Sequence, residues 1–275
     1  MNGLATRVSD RPVRRRATPL GLMLALTFAT GVVDAVGYLR LDQVFAGNMT
    51  GNVVILGMAA AGAGLPLLGP AVALVFFLVG AAAAGRVLRT AAPGWSRRCT
   101  GLLGGVGLVL VVTALGMAVV GLDSPGIRAV MASSLALAMG VQAATARHIG
   151  VKDVTTVVVT STLTGLAADS RLGAARGQGA LRRSTAVALI VAGAVAGAAL
   201  CQVHEGLAVA AAAVVVLAVS GLGHVSARSA DQAAAVTNSS ATAPSTARAG
   251  SGAHRGSAPR TADISPTRQR QEGTS

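Results

Sequence analysis

The sequence predicts an all-α integral membrane protein: a polytopic helical bundle of about six spanning helices plus two broken, re-entrant segments, in two inverted structural repeats. Three observations predict it. Only 12% of the residues are charged while 52% are hydrophobic, against about 25% charged in a soluble domain. Apolar runs of about 20 residues recur, long enough to cross a hydrocarbon core. Two segments then interrupt this pattern at matching places, Val44 of the first corresponding to Val154 of the second. A membrane β-barrel is excluded, because its strands would alternate in short runs between aromatic girdles, and only 2% of this chain is aromatic.

The net charge of +13 is compatible with nucleic-acid binding, but its distribution points to a lipid bilayer and no nucleic-acid partner. Arginines cluster at the N-terminus, between apolar segments and in the C-terminal tail, as cytoplasmic loops do. Residues 1–18, with Arg7, Arg11, Arg14, Arg15 and Arg16, form a basic cytoplasmic lead. Cys99 and Cys201 have no metal or disulfide spacing. No cleavable signal is expected, since the first apolar segment is too long for one and ends in Arg40.

The elements follow in order. Pro19–Leu39 is the first span. It carries the small pair Gly31-x-x-x-Ala35, which lets another helix approach closely, and the intramembrane Asp34. Residues 44–64 open with Gly47, Asn48, Thr50, Gly51 and Asn52 and then turn apolar, which predicts irregular backbone feeding a half-helix capped by Thr50. Pro66–Leu88 is a span, followed by a basic loop with Arg97 and Arg98 around Trp95, an interfacial anchor. Gly101–Leu122 and Ile127–Ile149 are spans, with Gly101-x-x-x-Gly105 and Gly140-x-x-x-Ala144 as close-packing pairs. Residues 154–168 begin β-branched, which favours extended backbone, and end in helix formers. After a loop with Arg171, Arg176, Arg182 and Arg183, Thr185–Val203 and Leu207–Leu222 are the last spans, the former with Gly193-x-x-x-Gly197. The transmembrane domain is thus 19–223, with one repeat at about 19–122 and the other at about 127–222. Residues 224–275 lack apolar periodicity and read as a disordered cytoplasmic tail.

Charge decides the topology. If all eight apolar segments crossed, the loop with Arg86, Arg89, Arg97 and Arg98 would lie outside. If the two odd segments are re-entrant, that loop, the 169–183 loop, Arg147, Lys152 and both termini fall inside, leaving Arg40 and Arg128 outside. Each half then has three spans, so the halves are inverted and the broken segments enter from opposite faces to meet near the midplane. Paired interrupted segments of this kind are a sequence pointer to a transporter-type site.

The candidate substrate-binding residues are therefore Asp34, Asn48, Thr50, Gly51, Asn52, Thr160, Ser161 and Thr162. A carboxylate inside a span is costly and commonly functional, although Asp34 could instead pair with Arg40. A half-helix N-terminus favours anions. Gln142, beside the Asp34 position in the other half, is a secondary candidate and reads first as interhelical packing. No cofactor or metal is expected.

The motifs Gly31-x-x-Asp34-Ala35-x-x-Tyr38-Leu39 and Val44-Phe45-x-x-Asn48-x-Thr50-Gly51-Asn52 resemble the signature of the YoaK family, bacterial membrane proteins catalogued as domain of unknown function 1275. The likeness covers roughly residues 19–222. Asp153-Val-Thr-Thr and Thr160 fit it too, with Ser161 where a Gly is often seen. The resemblance implies the class without an activity. The expected function is permease-like transport of a small polar or anionic solute across the cell membrane, with a proton or cation as coupling particle. A non-transporting structural or regulatory membrane protein is the alternative. An enzyme ranks last, because Ser161 and the threonines have no His at comparable depth to act as base.

Overall fold

The structure is a computed structural model describing residues 19–150, 159–168 and 180–241. Eight helices make up the described residues, with no strand: α1 (Pro19–Arg40), α2 (Met49–Ala60), α3 (Leu68–Leu88), α4 (Arg97–Val120), α5 (Pro125–Ile149), α6 (Val159–Ala168), α7 (Ala180–Val203) and α8 (Glu205–Ala241). Six of them, α1, α3, α4, α5, α7 and α8 as far as Ser229, are long and apolar enough to cross a membrane. At about 18 Å and about 15 Å, α2 and α6 are too short.

Local chemistry sets the helix ends. The side chain of Ser96 caps α4, accepting from the Cys99 N–H at 3.3 Å. Pro125 starts α5, and Gly150, at φ 70°, stops it by donating to the Ala146 carbonyl. Three boundaries differ from the sequence expectation. Helix α4 begins at Arg97 and α7 at Ala180, so Arg97, Arg98, Arg182 and Arg183 are helical rather than in loops. Helix α8 runs to Ala241, past the expected end at Leu222. Arginine and alanine are good helix formers, whereas hydropathy marks only the apolar part of a helix. The described residues up to Ala233 form one compact unit; of the second, 234–275, only the last turns of α8 are described. The lead 1–18 and residues 242–275 lie outside the described residues.

Helices α1 and α5 are central: 61% and 56% of their apolar windows are buried, against 22% and 17% in α3 and α7. They run antiparallel, since Thr30 meets Gln142 and Asp42 meets Arg128. Helix α7 lies parallel to α1, with Ile190 against Gly31 and the Cys201 carbonyl against Arg40. Helix α3 lies parallel to α5: Leu67 and Pro125 line one cavity, and Ala92 meets His148 at the other end. Helix α8 packs antiparallel on α4, with Leu217 against Gly107 and Gly206 against Ala114.

The close crossings are reciprocal. A Cβ on Gly31 would strike the Ile190 carbonyl, and one on Gly193 the Phe28 carbonyl. In the other pair, a Cβ on Gly140 would strike the Phe77 carbonyl, and one on Gly80 the Leu137 carbonyl. The α1–α7 crossing thus has the same plan as α5–α3. Gly101 and Gly105 do not form a crossing, because a Cβ at either meets open space. It is Gly107, two residues further on, that presses on α8 at Leu217.

Candidate functional site

After α1, Leu41–Gln43 turns the chain back with Asp42 at φ 55° and Gln43 at φ 60°. L-residues other than Gly, Asn and Asp rarely adopt this left-handed conformation, and Arg128 holds the turn through Asp42, Nε to Oδ1 at 2.9 Å. The chain then descends along α1. The Val44 carbonyl lies against Gly37, and Gly47 lies beside Thr30 and Asp34. Those residues sit about 9–15 Å below the end of α1, near mid-depth. Helix α2 climbs back, and Gly64, Leu65 and Pro66 line the same cavity as Leu39, Arg40 and Asp42. The first broken segment enters and leaves at one face, so it is re-entrant.

The motif residues build this hairpin. The Asp34 carboxylate accepts from the Gly47 N–H at 2.6 Å, and the amides of Ala46 and Asn48 donate towards it as well. Asn52, fully buried, brackets Phe45: its Oδ1 accepts from the Phe45 N–H at 2.9 Å and its Nδ2 donates to the Phe45 carbonyl at 2.7 Å. The Phe45 ring stacks on Tyr38 with centroids 5.0 Å apart. A Cβ on Gly51 would collide with that same ring. Asp34 does not pair with Arg40. The Arg40 guanidinium instead donates to the Cys201 carbonyl at 2.6 Å and lies 3.8 Å from Glu205.

The cap of α2 is Asn48 and not Thr50, its side chain accepting from the Gly51 N–H at 3.3 Å. Asparagine caps at least as well as threonine and starts the helix two residues earlier. Thr50 is exposed, with no protein partner among the described residues. The amides ahead of the half-helix, expected to favour an external anion, face an internal one, Asp34. Gln142, 1% exposed, donates from Nε2 to Thr30 Oγ1 at 3.0 Å, while its Oε1 has no partner among the described residues. Thr160, Ser161 and Thr162 belong to the first turns of α6. Their side chains, and the Asp153-Val-Thr-Thr motif, lie outside the described residues. Helix α2 rests on α3 and α6 on α7.

Above the hairpin opens a polar cavity of about 770 Å³ that sequence reasoning missed. Arg40, Asp42, Gln43, Asp123, Arg128 and Glu205 contribute to it. Arg128 also donates to the carbonyls of Leu122 at 2.9 Å and Asp123 at 3.3 Å. Both guanidiniums are therefore committed to protein acceptors. The available signal was that Arg40 and Arg128, the two arginines expected outside, have acidic residues within a few positions or across one turn.

Residues 22–222 match the family described as "Protein of unknown function (DUF1275)". The UPF0700 transmembrane protein YoaK of Bacillus subtilis (strain 168) is 28% identical over 153 residues, which is 54% of this chain and 65% of that relative. The chain thus spans just under two thirds of the relative's length. No solved structure matches the chain.

Proposed function

The chain belongs to the DUF1275 family of proteins of unknown function, and we propose that it is a permease-like transporter for a small polar solute. The observation that carries this reading is the re-entrant hairpin: non-helical backbone at mid-depth, held by an intramembrane carboxylate, beneath an open polar cavity of about 770 Å³. Irregular backbone at this depth persists where it is buried in protein or lines a water-filled cavity. The antiparallel course of α1 and α5 and the reciprocal glycine crossings support two inverted halves, the plan of many secondary transporters. Arg86, Arg89, Arg97, Arg98 and Arg147 lie towards the end of the bundle opposite Arg40 and Arg128, which supports a cell-membrane orientation with that face and both termini cytoplasmic. An anionic solute draws no support from the hairpin, whose amides already serve Asp34. Asp34, Asn48, Thr50, Gly51 and Asn52 frame the pathway in this reading, with Gln142 beside it and Thr160, Ser161 and Thr162 as counterparts in the second half. No catalytic role is assigned to any of them.

A second reading, a non-transporting structural or regulatory membrane protein, draws on the internal satisfaction of Asp34 and Asn52. Proteoliposome uptake across a panel of small polar solutes separates the two. Transport predicts saturable uptake of at least one solute, lost in Asp34→Asn and reduced in Asn52→Ala. Identical fluxes in wild type and both variants across the panel would remove the transport reading.

A further inference from the structure

The fastenings of the hairpin differ in chemistry. Asn52 ties the descending loop to α2 through Phe45, and neither partner titrates. Asp34 ties the same loop to α1 through backbone amides, and its carboxylate does titrate. The loop and α2 thus form one unit whose titratable fastening to α1 is Asp34. That unit is flanked on both sides by left-handed turns, Asp42–Gln43 before it and Gly62 and Gly64 after it.

We infer that Asp34 is a proton-operated latch: the particle exchanged at its carboxylate is a proton and not a metal cation, and its arrival frees the re-entrant loop from α1. The surroundings decide between the two particles. A hard cation gathers several oxygen ligands, whereas the amides of Ala46, Gly47 and Asn48 turn N–H groups towards Asp34, and such a nest repels a cation. A proton fits without coordination, and it turns an acceptor-only carboxylate into a group with its own O–H donor. A carbonyl oxygen remains to accept, so the bond to Gly47 loses its charge assistance and about half its strength.

Among the described residues, no nearby charge does this work instead. On α1, Tyr38 is stacked on Phe45, and Arg40 is held by Glu205 and the Cys201 carbonyl. On α5, the group facing this region is the neutral Gln142, while Arg128 is held by Asp42 at the cavity. On α7, Cys201 lies at the Arg40 end, and α2 carries no titratable side chain. As a coupling device the latch rests on the transporter reading. As a loop release it does not, and the experiment reads the release alone.

The full chain in lipid nanodiscs, with Cys99→Ala and Cys201→Ala, receives a reporter at Ala46→Cys, a loop position 2% exposed. Maleimide labelling is compared between this protein and the same protein carrying Asp34→Asn, each rate divided by that protein's own thiolate fraction as titrated by its ultraviolet absorbance, because the charge of Asp34 acts directly on a thiol placed this close to it. At alkaline pH the Asp34 protein is expected to label about tenfold more slowly or less, and the two rates should converge on acidification. Exchanging sodium for choline at fixed pH should change neither. A rate ratio independent of pH, or one set by sodium, would overturn the inference. If Asp34→Asn does not fold, a surface reporter at Asp123→Cys supplies the reference rate and the same criteria apply.

Discussion

Replacing Asn52 by alanine should unfasten the re-entrant loop from α2 and leave both helices intact. The wild-type amide satisfies the Phe45 N–H at 2.9 Å and the Phe45 carbonyl at 2.7 Å. Asn52 is 0% exposed, so water does not stand ready to replace it. Leaving one buried polar group unpaired costs about 1–3 kcal/mol, and two such groups set a ceiling of about 6 kcal/mol. Phe45 is half-buried, so bridging water recovers part of this, and we expect a net loss of about 2–4 kcal/mol. Alanine is the best helix former, which removes helix propensity as the cause. For a chain of this size each kcal/mol moves the midpoint by about 2–4 °C, so thermal unfolding in detergent, followed by circular dichroism, should shift down by about 4–16 °C. Asn52→Asp is the control. It keeps an acceptor for the Phe45 N–H but sets an oxygen against the Phe45 carbonyl, so it should destabilise at least as much. A midpoint within about 1 °C of wild type for Asn52→Ala would refute the reasoning, because two buried hydrogen bonds cannot vanish at that cost.

Two further outcomes follow from the same geometry. Gly140→Val and Gly193→Val should each destabilise by about 3 kcal/mol or more, because their side chains would meet the Phe77 and Phe28 carbonyls; Gly101→Ala and Gly105→Ala, facing open space, should gain about 0.5–1 kcal/mol each, all four read as shifts in the unfolding midpoint. Gln43→Gly should raise stability by about 0.5–1 kcal/mol, since a left-handed φ of 60° strains glutamine and not glycine; a lowered midpoint would show that the Gln43 side chain makes a contact outweighing the strain.

Much of the architecture was legible in the sequence because its causes are one-dimensional. Six apolar runs, too long for anything but spans, and the basic loops between them fixed the count and the alternation. The polar interruption that begins at Gly47 had to break the helical course of the chain, and it does so as far as the Asn48 cap, since non-helical backbone at that depth must be buried in protein or line a cavity. The family motif was visible as well, and so was its position between α1 and α2. What sequence could not weigh was which motif group satisfies which other. Asn48 rather than Thr50 caps α2 because its side chain reaches the Gly51 amide, a matter of two residues in register.

The remainder was decided only by tertiary structure. Asp34 and Arg40 are six residues apart and look like an ion pair, yet the fold gives the carboxylate to the Gly47 amide and the guanidinium to α7 and α8. The cavity beside them joins residues from both halves, Asp42 with Arg128 and Arg40 with Glu205, pairings between residues far apart in the sequence. Hydropathy records how each residue partitions between lipid and water, and so it foretells where the chain crosses. Which polar groups meet depends on the directions in which the packed helices turn them, and that is set by the glycine crossings of α1 with α7 and α5 with α3.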